Sequence, residues 1–518
     1  MDHPIDPSQK PDRPPSLRLW PAWTILGIAL GVILFAQLQE SWPFQRRNLA
    51  TLATLLVVLP SGLIWWMLGS GVRWRTRWKG LGWISLATGI LVALFRIQGV
   101  SGDFVPIIAF RWSIPNLASA PLKPSDASTA TRSTRSDFPQ FLGPSRDGQL
   151  PGPLLATNWT TQPPRLLWRR PIGAAWSGFA IVGTRALTQE QQGPDELVTA
   201  YDLETGHPLW AHTNTARYDT TIAGEGPRAT PTVVSNRVYT LGATGILDCL
   251  ELETGRRIWT RSLTQDGGRG VPEWGYSGSP WSDGMLVVVQ VGGGGKGLIA
   301  YRADSGEPAW SGGDSGLNYA SPFRADLAGQ SQFLIFGGRS LTAQDPTDGH
   351  VLWNHPFGEG MPLVANPIVV SSNRVLITAG YNVGAELLEI PGPGRPPVSV
   401  WKTKRLKAKF ANPVRRGDVV YGLDDGILVG LDLKEGSQLW KEGRYGHGQG
   451  LWVGDVYLLM TESGKLVLLQ PNQKGANELG SIPVFDAKTW NPIALAGDRL
   501  LVRNDREAVA WVLPLRTP

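Results

Sequence analysis

The sequence predicts an all-β fold, an eight-bladed β-propeller closed by pairing of its N- and C-terminal strands, preceded by an α-helical membrane anchor. Three observations predict this architecture. A Trp-ended unit recurs along most of the chain, Gly and Pro supply 62 and 41 of the 518 residues, and three apolar stretches lie near the N-terminus. Tight turns between many short strands account for such a content of Gly and Pro.

The composition argues against two classes of protein. A single cysteine, Cys249, cannot form a disulfide within the chain, so the fold has no disulfide framework. Hydrophobic residues make up 42% of the chain, which argues against overall disorder. Much of the basic excess behind the net charge of +6 lies beside the apolar stretches, so a membrane is expected as a partner and a nucleic acid is not.

The apolar stretches form the predicted anchor, at residues 20–38, 49–70 and 80–95. A transmembrane helix needs roughly 17–25 such residues, so the first two stretches are long enough and the third is marginal. We expect a cytoplasmic tail at residues 1–18, an anchor of about three transmembrane helices at 19–100, a Ser/Thr/Pro-rich linker at 101–137 and the propeller at 138–518. The alternative for the first stretch is a cleaved signal peptide, because Lys10, Arg13 and Arg18 precede it.

The orientation of the anchor follows from the basic residues on its two sides, because positively charged loops stay in the cytoplasm. With three crossings, the propeller is expected on the periplasmic or extracellular side of the inner membrane. If the third stretch does not cross, the orientation reverses. The expected cytoplasmic side carries Lys10, Arg13, Arg18, Arg73, Arg75, Arg77 and Lys79, and the opposite side carries Arg46, Arg47, Arg96 and Arg111.

The repeat consists of an alternating apolar strand, a tight turn with Asp and Gly, and an outer strand that ends in a large aromatic residue. A spacing of about 40–50 residues is typical of one four-stranded propeller blade. The tryptophan is expected to bury its ring between neighbouring blades. The units end at Trp210, Trp259, Trp310, Trp353, Trp401, Trp440 and, in a degenerate copy, Phe485.

Eight matching starts of inner strands lie between these units, and they predict eight blades. The segment LLWRR, which contains Trp168, precedes the first start and is the spare outer strand, so we predict that it pairs with the C-terminal strands. The starts are SGFAIVG from Ser177, ATPTVVS from Ala229, SGSPWSDG from Ser277, YASPFRAD from Tyr319, VANPIVVS from Val364, FANPVRRG from Phe410, GQGLWVGD from Gly448 and WNPIALAGD from Trp490.

The unit, with a consensus near L-x-A-L-D-x-x-T-G-x-x-x-W, resembles the pyrroloquinoline-quinone (PQQ) repeat, as in LVTAYDLETGHPLW ending at Trp210. That repeat occurs in quinoprotein dehydrogenases and in the propeller subunit of the outer-membrane barrel-assembly machinery. The motifs FPQFLGPSRDG from Phe138, GPRATPTV from Gly226 and GYSGSP from Gly275 resemble a subgroup of bacterial PQQ-like propellers that is defined by its repeats. The resemblance implies the fold and leaves the reaction open.

The candidate binding residues lie at the starts of the inner strands, where a propeller gathers one loop from each blade around its channel. The alternative interpretation is that the Asn and Ser side chains only join adjacent strand ends through hydrogen bonds to the backbone. No metal-ligand spacing is found, and no catalytic residue is assigned. The candidates are Glu225, Arg228, Tyr276, Asn366, Lys409, Asn412, Trp490 and Asn491.

We predict a membrane-anchored scaffold that binds a protein or ligand, with a role in envelope assembly, lipid around its helices and a protein partner on a propeller face. The alternative is a PQQ-dependent quinoprotein dehydrogenase that oxidises an alcohol or sugar and passes electrons to membrane quinone. The resemblance implies PQQ and calcium for such an enzyme, and for its alcohol dehydrogenases a disulfide of adjacent cysteines, which Cys249 alone cannot make. About 47 residues per blade also leave little room for the insertions that build the site of such enzymes.

Overall fold

The computed structural model describes residues 17–39, 42–112, 136–220, 222–314 and 316–516. The chain divides into two compact units, residues 1–116 and 117–518. In its described part, the first unit is helical with one β-hairpin, and the second is built almost entirely of strands. Most of the predicted cytoplasmic tail, residues 1–16, and most of the predicted linker, residues 113–135, lie outside the described residues.

The first unit contains three long helices, Trp20–Leu38 (α1), Phe44–Ile64 (α2) and Trp74–Leu94 (α3), and a π-helical turn, Trp65–Gly69, extends α2. Two of them are long and apolar enough to cross a membrane, namely Trp20–Leu38 and Phe44–Gly69. The first six residues of α3 include three basic ones, Arg75, Arg77 and Lys79, so its apolar part starts only at residue 80. This agrees with the short third stretch in the sequence.

The three helices run antiparallel to their neighbours in sequence. The start of α1 meets the end of the second helix, where the backbone N–H of Arg18 donates to the carbonyl of Ser70 at 2.9 Å. The start of α3 meets the same end, because the indole of Trp66 donates to the carbonyl of Arg77 at 3.0 Å. A β-hairpin, Phe95–Val100 with Pro106–Phe110, follows α3. The sequence analysis did not predict this hairpin and assigned residues 101–137 to a linker.

The described part of the second unit contains eight sheets of four or five strands, named I to VIII here. Within each sheet, consecutive strands pair antiparallel, as expected for apolar strands joined by tight turns. In chain order, sheet I contains Ala180–Val182, Arg185–Gln192, Asp195–Asp202 and Pro208–Asn214; sheet II contains Thr232–Val234, Arg237–Leu241, Ile246–Glu251 and Arg257–Ser262; sheet III contains Trp281–Ser282, Leu286–Gln290, Leu298–Arg302 and Pro308–Gly312; and sheet IV contains Phe323–Leu327, Gln330–Gly337, Ser340–Gln344 and Val351–Pro356.

The remaining four sheets follow the same plan, and two of them take a strand from the start of the unit. A short pair, Asp219–Thr220 with Gly224–Glu225, and a one-turn helix, Leu263–Gly267, complete the elements. Sheet V contains Ile368–Ser371, Arg374–Ala379, Gly384–Glu389 and Val398–Thr403; sheet VI contains Val414–Arg416, Val419–Asp424, Ile427–Asp432 and Gln438–Arg444; sheet VII contains Gln149–Leu150, Gln449–Val453, Val456–Met460, Lys465–Asn472 and Gly475–Pro483; and sheet VIII contains Ala494–Ala496, Arg499–Arg503, Glu507–Val512 and Arg165–Pro171.

The outer strand of sheet VIII comes from the N-terminal end of the unit. The strand Arg165–Pro171 pairs antiparallel with the last strand, Glu507–Val512, with Trp168 opposite Ala510. This is the pairing that the sequence predicts for the segment LLWRR. The two ends of the unit are therefore held in one sheet, and one hydrophobic core extends over sheets VII, VIII and I.

Six tryptophans of the repeat each join one sheet to the next. The indole of Trp168 in sheet VIII donates to the carbonyl of Leu203 after the third strand of sheet I, at 3.0 Å. Trp353 differs, since it donates to Gln332 of its own sheet at 2.7 Å. The contacts to the following sheet are Trp168 to Leu203, Trp210 to Leu252, Trp259 to Ala303, Trp310 to Pro346, Trp401 to Leu433 and Trp440 to Asn472.

Replacing Gly255 with alanine is expected to lower the free energy of unfolding by about 2–4 kcal/mol. Gly255 has a φ of +69°, and a Cβ atom there would lie 2.3 Å from the ring of Trp210. Gly417 is the matched control, because it has a φ of +60° and no atom within 4 Å of its Cβ position. Its replacement is expected to cost only about 1 kcal/mol, from the backbone conformation alone. Urea denaturation measures both variants, and equal losses would contradict a role of the glycine in seating the ring.

Candidate functional site

A line of hydrogen bonds connects the starts of the first strands from one sheet to the next. At each step, the donor is the backbone N–H of the residue two positions before the first strand of a sheet. The acceptor is the side chain of the equivalent residue, two positions before the first strand of the next sheet. The steps run from Gly178 to Thr230 at 3.1 Å, from Thr230 to Ser279 at 2.9 Å, from Ser279 to Ser321 at 2.9 Å, from Ser321 to Asn366 at 3.1 Å and from Asn366 to Asn412 at 2.8 Å.

Three of the predicted site residues, Asn366, Asn412 and Asn491, belong to this joining system. The amide of Asn491 donates to the carbonyls of Ala175 at 3.0 Å and Ser177 at 2.9 Å, which connects sheet VIII to sheet I. All three asparagines are buried. Their bonds to backbone groups agree with the alternative interpretation that such residues join adjacent strand ends.

Aromatic and cationic side chains gather beside these strand starts, in a group that we call the mouth cluster. Trp490 stands with its ring 5.0 Å from that of Trp176 and 4.9 Å from that of Phe410, between ring centroids. All three residues stand four positions before a first strand, so the same register of the repeat places them together. The members of the mouth cluster are Trp176, Lys409, Phe410, Lys488 and Trp490.

The two lysines of the mouth cluster lie over aromatic rings. The Nζ atom of Lys488 is 3.9 Å from the ring centroid of Trp490 and 4.9 Å from that of Trp176. Burial lowers the pKa of Lys488 below its usual value. The Nζ atom of Lys409 is 5.3 Å from the ring of Phe410. Cations in such positions are attracted to the ring faces, and the Lys409 side chain is itself buried, at 2% exposure.

One carboxylate orients the mouth cluster. The Oε1 atom of Glu462 accepts a hydrogen bond from the indole of Trp490 at 2.8 Å. Its Oε2 atom accepts one from the backbone N–H of His447 at 3.1 Å. The ring of Trp490 is therefore fixed by a charged acceptor, which gives the cluster a defined shape.

A second group of the same kind surrounds Arg228. Its guanidinium lies 4.4 Å from the ring centroid of Tyr218 and donates to the carbonyls of Ala223 at 2.9 Å and Gly224 at 2.8 Å. Burial lowers the pKa of Arg228 to about 10, so the group stays charged at neutral pH. The nearby phenol of Tyr319 acts to raise the pKa of Arg228. Tyr319 lies four positions before the first strand of sheet IV, as Trp490 does before that of sheet VIII.

Two predicted candidates lie elsewhere. Glu225 forms an ion pair with Arg217 at 2.7 Å. Tyr276 is 2% exposed and packs in the core between sheets II and III, with Tyr239 and Val289. It is expected near the binding surface because it lies at the start of an inner strand, but its ring fills the space between two sheets.

Glu196 is a buried carboxyl group that the sequence analysis did not select. Its Oε1 atom accepts a hydrogen bond from the backbone N–H of Ala243 at 3.0 Å, while its Oε2 atom is buried without a hydrogen-bond partner. Burial raises its pKa from 4.5 to about 7, although the Ala243 N–H and the charge of Arg228 act in the opposite direction. The alternating sequence of the strand Asp195–Asp202 does not reveal this pKa shift, because the shift depends on how the neighbouring sheet buries Glu196.

This shift predicts that the protein becomes less stable as the pH rises from about 5 to about 7. The folded protein keeps a proton on Glu196 in that range, whereas the unfolded chain releases it, so the free energy of unfolding falls by up to about 3 kcal/mol. Urea denaturation at several pH values measures the slope. Replacement of Glu196 by glutamine is expected to remove this part of the slope, and an unchanged slope would contradict the assignment.

The motif FPQFLGPSRDG, residues 138–148, and the strand Gln149–Leu150 after it form a segment that contacts five of the sheets. Phe138 exchanges two backbone hydrogen bonds with Ile181 of sheet I, at 2.7 and 2.9 Å. The carbonyl of Pro139 accepts from Val233 of sheet II at 2.8 Å. At its other end the strand Gln149–Leu150 pairs in parallel with Trp452 and Val453 of sheet VII. The segment also approaches sheets III and VI, through Arg146 and Gly148.

Arg146 holds the middle of this segment. Its guanidinium donates to the carbonyls of Ser279 at 2.9 Å and Pro280 at 2.8 Å, directly before the first strand of sheet III. The side chain is fully enclosed, and burial lowers its pKa to about 9. The motif is thus a structural part of the second unit, in which backbone carbonyls accept the hydrogen bonds of a buried cation.

The oxygen atoms beside the mouth cluster that could coordinate a metal ion do not fit a site for calcium and PQQ. Calcium takes six to eight oxygen ligands, yet both oxygens of Glu462 and the amide oxygens of Asn366 and Asn412 accept hydrogen bonds from protein groups. Cys249 is buried, and its burial raises the pKa of the thiol to about 12. The one group of three metal-ligand types found among the described residues, Asp345, Asp348 and His350, lies on a turn of sheet IV.

Comparison with known proteins supports the fold. A family model described as outer membrane protein assembly factor BamB matches residues 194–442. No curated protein matches the chain. Among solved structures, BamB from Moraxella catarrhalis is 15% identical, with a TM-score of 0.50 over 68% of this chain and 99% of that one. A europium-containing methanol dehydrogenase is 12% identical, with a TM-score of 0.56 over 73% and 98% of the two chains.

A quinohemoprotein alcohol dehydrogenase from Comamonas testosteroni is 14% identical, with a TM-score of 0.54 over 74% of this chain and 81% of that one. At these identities the likeness shows the fold alone, since an assembly factor and two dehydrogenases share it. The predicted repeat and the many four-stranded sheets agree with this likeness. The chain thus resembles PQQ-like β-propeller repeat proteins in its repeats and its fold, and it carries apolar helices near its N-terminus.

Proposed function

We propose that the protein is a membrane-anchored, exported propeller that binds a protein partner through its mouth cluster and serves as a scaffold in the cell envelope. In this proposal the eight sheets are eight blades of one ring, closed by the pairing of Arg165–Pro171 with Glu507–Val512. The hydrogen bonds from Asn491 to Ala175 and Ser177 support closure, because they join the last sheet to the first.

Three membrane crossings are proposed for the anchor, with the inner membrane as its location. The contacts of α3 support three crossings, because its start meets the end of the second helix through Trp66 and Arg77. The hairpin that follows α3 returns to the start of α2, where Gln45 donates to Asp103 at 2.8 Å. Both ends of the third helix are thus connected to the ends of the second, and an odd number of crossings would place the second unit on the exported side.

The proposed ring makes its channel a funnel with one open end. Sheets II and III lie opposite sheets VI and VII in an eight-bladed ring, and residues 138–150 contact members of both pairs. The segment therefore crosses the channel. A partner would enter from the end of the channel that carries the mouth cluster. The line of hydrogen bonds and the segment 138–150 fill the channel beyond that end.

The proposal rests on a difference between two positions of the repeat, those two and four residues before the first strand of each sheet. The polar groups two positions before the strands are occupied by bonds between sheets, whereas the positions four before the strands present Trp490, Phe410 and Arg228. Tryptophan and arginine dominate the binding energy of protein interfaces. The aromatic rings of the mouth cluster favour a partner segment with apolar side chains.

Capture from membranes tests the proposal. The full-length protein in mild detergent is expected to retain a partner, and the double variant Lys488→Ala/Trp490→Ala is expected to retain at least about tenfold less, which corresponds to about 1.4 kcal/mol. Leu439→Ala, on the exposed outer strand of sheet VI, is the matched control and is expected to bind like the native protein. Equal capture by all three proteins, with unchanged thermal unfolding, would refute the mouth cluster as the binding surface.

The dehydrogenase alternative makes a different prediction. Titration of the same protein with PQQ and calcium would then shift the quinone absorbance and support dye reduction with an alcohol or a sugar. The scaffold proposal predicts neither effect. A saturable absorbance shift together with substrate-dependent dye reduction would replace the scaffold by an enzyme.

A further inference from the structure

The hairpin after α3 has one apolar face. Its register places Phe95 opposite Phe110 and Ile97 opposite Ile108, and side chains alternate between the two faces of a strand pair. These four side chains therefore share a face, and the two phenylalanine rings lie 4.5 Å apart. Arg96 is on the other face, opposite Ala109.

The apolar face is exposed in the folded unit. Ile97 is 70% exposed and Ile108 is 63% exposed, and Trp112 directly after the hairpin is 68% exposed. A two-stranded hairpin is at best marginally stable in water and needs a surface to cover its apolar side. An environment other than water is therefore expected to cover Ile97 and Ile108.

The hairpin is fixed to the end of an apolar helix. The backbone N–H of Arg111 donates to the carbonyl of Leu94 at 2.8 Å, and its Nε atom donates to the carbonyl of Val92 at 2.7 Å. The apolar part of α3, residues 80–94, is about 22 Å long, which is shorter than the hydrocarbon core of about 30 Å. The helix alone therefore ends about 8 Å short of the headgroups, and the hairpin covers the remaining distance. Its turn meets the start of α2, where Gln45 donates to Asp103 at 2.8 Å.

We propose that this hairpin lies in the membrane interface, with Phe95, Ile97 and Ile108 toward the acyl chains and Arg96 toward the lipid phosphates. The inference rests on the membrane anchor in the proposed function. Arginine side chains reach from an apolar surface to charged headgroups, and Trp112 is of the residue type that is enriched at this level. The backbone edges of the hairpin remain within reach of water there, as they would not in the hydrocarbon core.

Spin labelling of the full-length protein in phosphatidylglycerol-containing nanodiscs tests the proposal. Cys249 is the single cysteine and is buried, so a Cys249→Ser background leaves one labelling site in each variant. The variants Ile108→Cys and Ile97→Cys carry the nitroxide on the apolar face. Ala109→Cys carries it on the opposite face, one residue away. Accessibility to oxygen and to a water-soluble nickel complex is measured for each label.

The expected result is that labels at positions 97 and 108 are accessible to oxygen and shielded from nickel, while the label at 109 is accessible to nickel. Equal nickel accessibility on both faces would overturn the proposal. A label at Leu30, in the middle of α1, separates this outcome from failure of the anchor. If the Leu30→Cys label is shielded and the hairpin labels are not, only the hairpin inference fails; if it too is open to nickel, both fail.

Discussion

Replacing Arg503 with methionine is expected to lower the free energy of unfolding by about 3–5 kcal/mol. Arg503, in sheet VIII, is fully buried and donates to Thr188 at 2.8 Å, to the carbonyl of Gln189 at 2.9 Å and to that of Gly173 at 2.7 Å. These acceptors belong to sheet I and to the strand connection before it. Methionine fills a similar volume but leaves the two carbonyls without donors, at about 1–3 kcal/mol each.

Urea denaturation of the full-length protein, followed by tryptophan fluorescence, measures this loss. Hydrogen exchange is expected to show it first in sheets I and VIII, where the two ends of the second unit meet. Arg256→Met is the matched control, because the Arg256 side chain is 70% exposed and forms an ion pair of 3.5 Å. The control is expected to change stability by less than about 0.5 kcal/mol. A loss in Arg503→Met no larger than that would show that the contact between sheets VIII and I is not held by this side chain.

Arg146→Met is expected to release the segment 138–150 and to cost about 3 kcal/mol. The substitution removes both donors to the carbonyls of Ser279 and Pro280, which are buried against the segment. Leu142 and Arg146 also have φ values of 61° and 57°, which are unfavourable for residues other than glycine. The guanidinium bonds offset that strain in the native protein, so the segment is expected to detach before the sheets unfold.

Hydrogen exchange measures the detachment. The amides of Phe138, Gly148 and Trp452 are hydrogen-bonded in the native protein and are expected to exchange at least about tenfold faster in the variant. Arg146→Lys keeps the charge but cannot reach two carbonyls in the same fork geometry, so an intermediate effect is expected. Unchanged exchange at these amides would contradict the role of Arg146 in holding the segment.

The repeat made much of the second unit predictable from the sequence. The spacing of the tryptophans and the eight strand starts place the strands, and the strand containing Trp168 pairs as predicted. The contact partner of each tryptophan was not predictable, because Leu203 and its equivalents are identified only by how one sheet packs on the next. The hairpin at residues 95–110 was missed because its short strands continue from an apolar helix without a turn signal.

The site was only partly predictable, because the sequence shows the position of each residue in the repeat but not which of these positions is taken up by contacts between sheets. Asn366 and Asn412 attract attention as polar residues at strand starts, yet they join sheets. Trp490 and Lys409 are the predicted candidates that the structure places in the mouth cluster. Trp176 and Lys488 were missed, although Trp176 occupies the same position before its strand as Trp490 does, and that shared position is the signal that could have found it.

Site-specific photo-crosslinking in living cells tests the central claim, that the mouth cluster is the surface that binds a partner. A photoreactive phenylalanine is placed either at Phe410, in the mouth cluster, or at Leu439, on the outer strand of the same sheet. Leu439 is exposed, so both positions can react. The predicted result is a discrete protein adduct from position 410 that is lost in Lys488→Ala/Trp490→Ala, and none from position 439. An adduct from 439 alone, or none from 410 in cells where the partner is captured, would contradict the account.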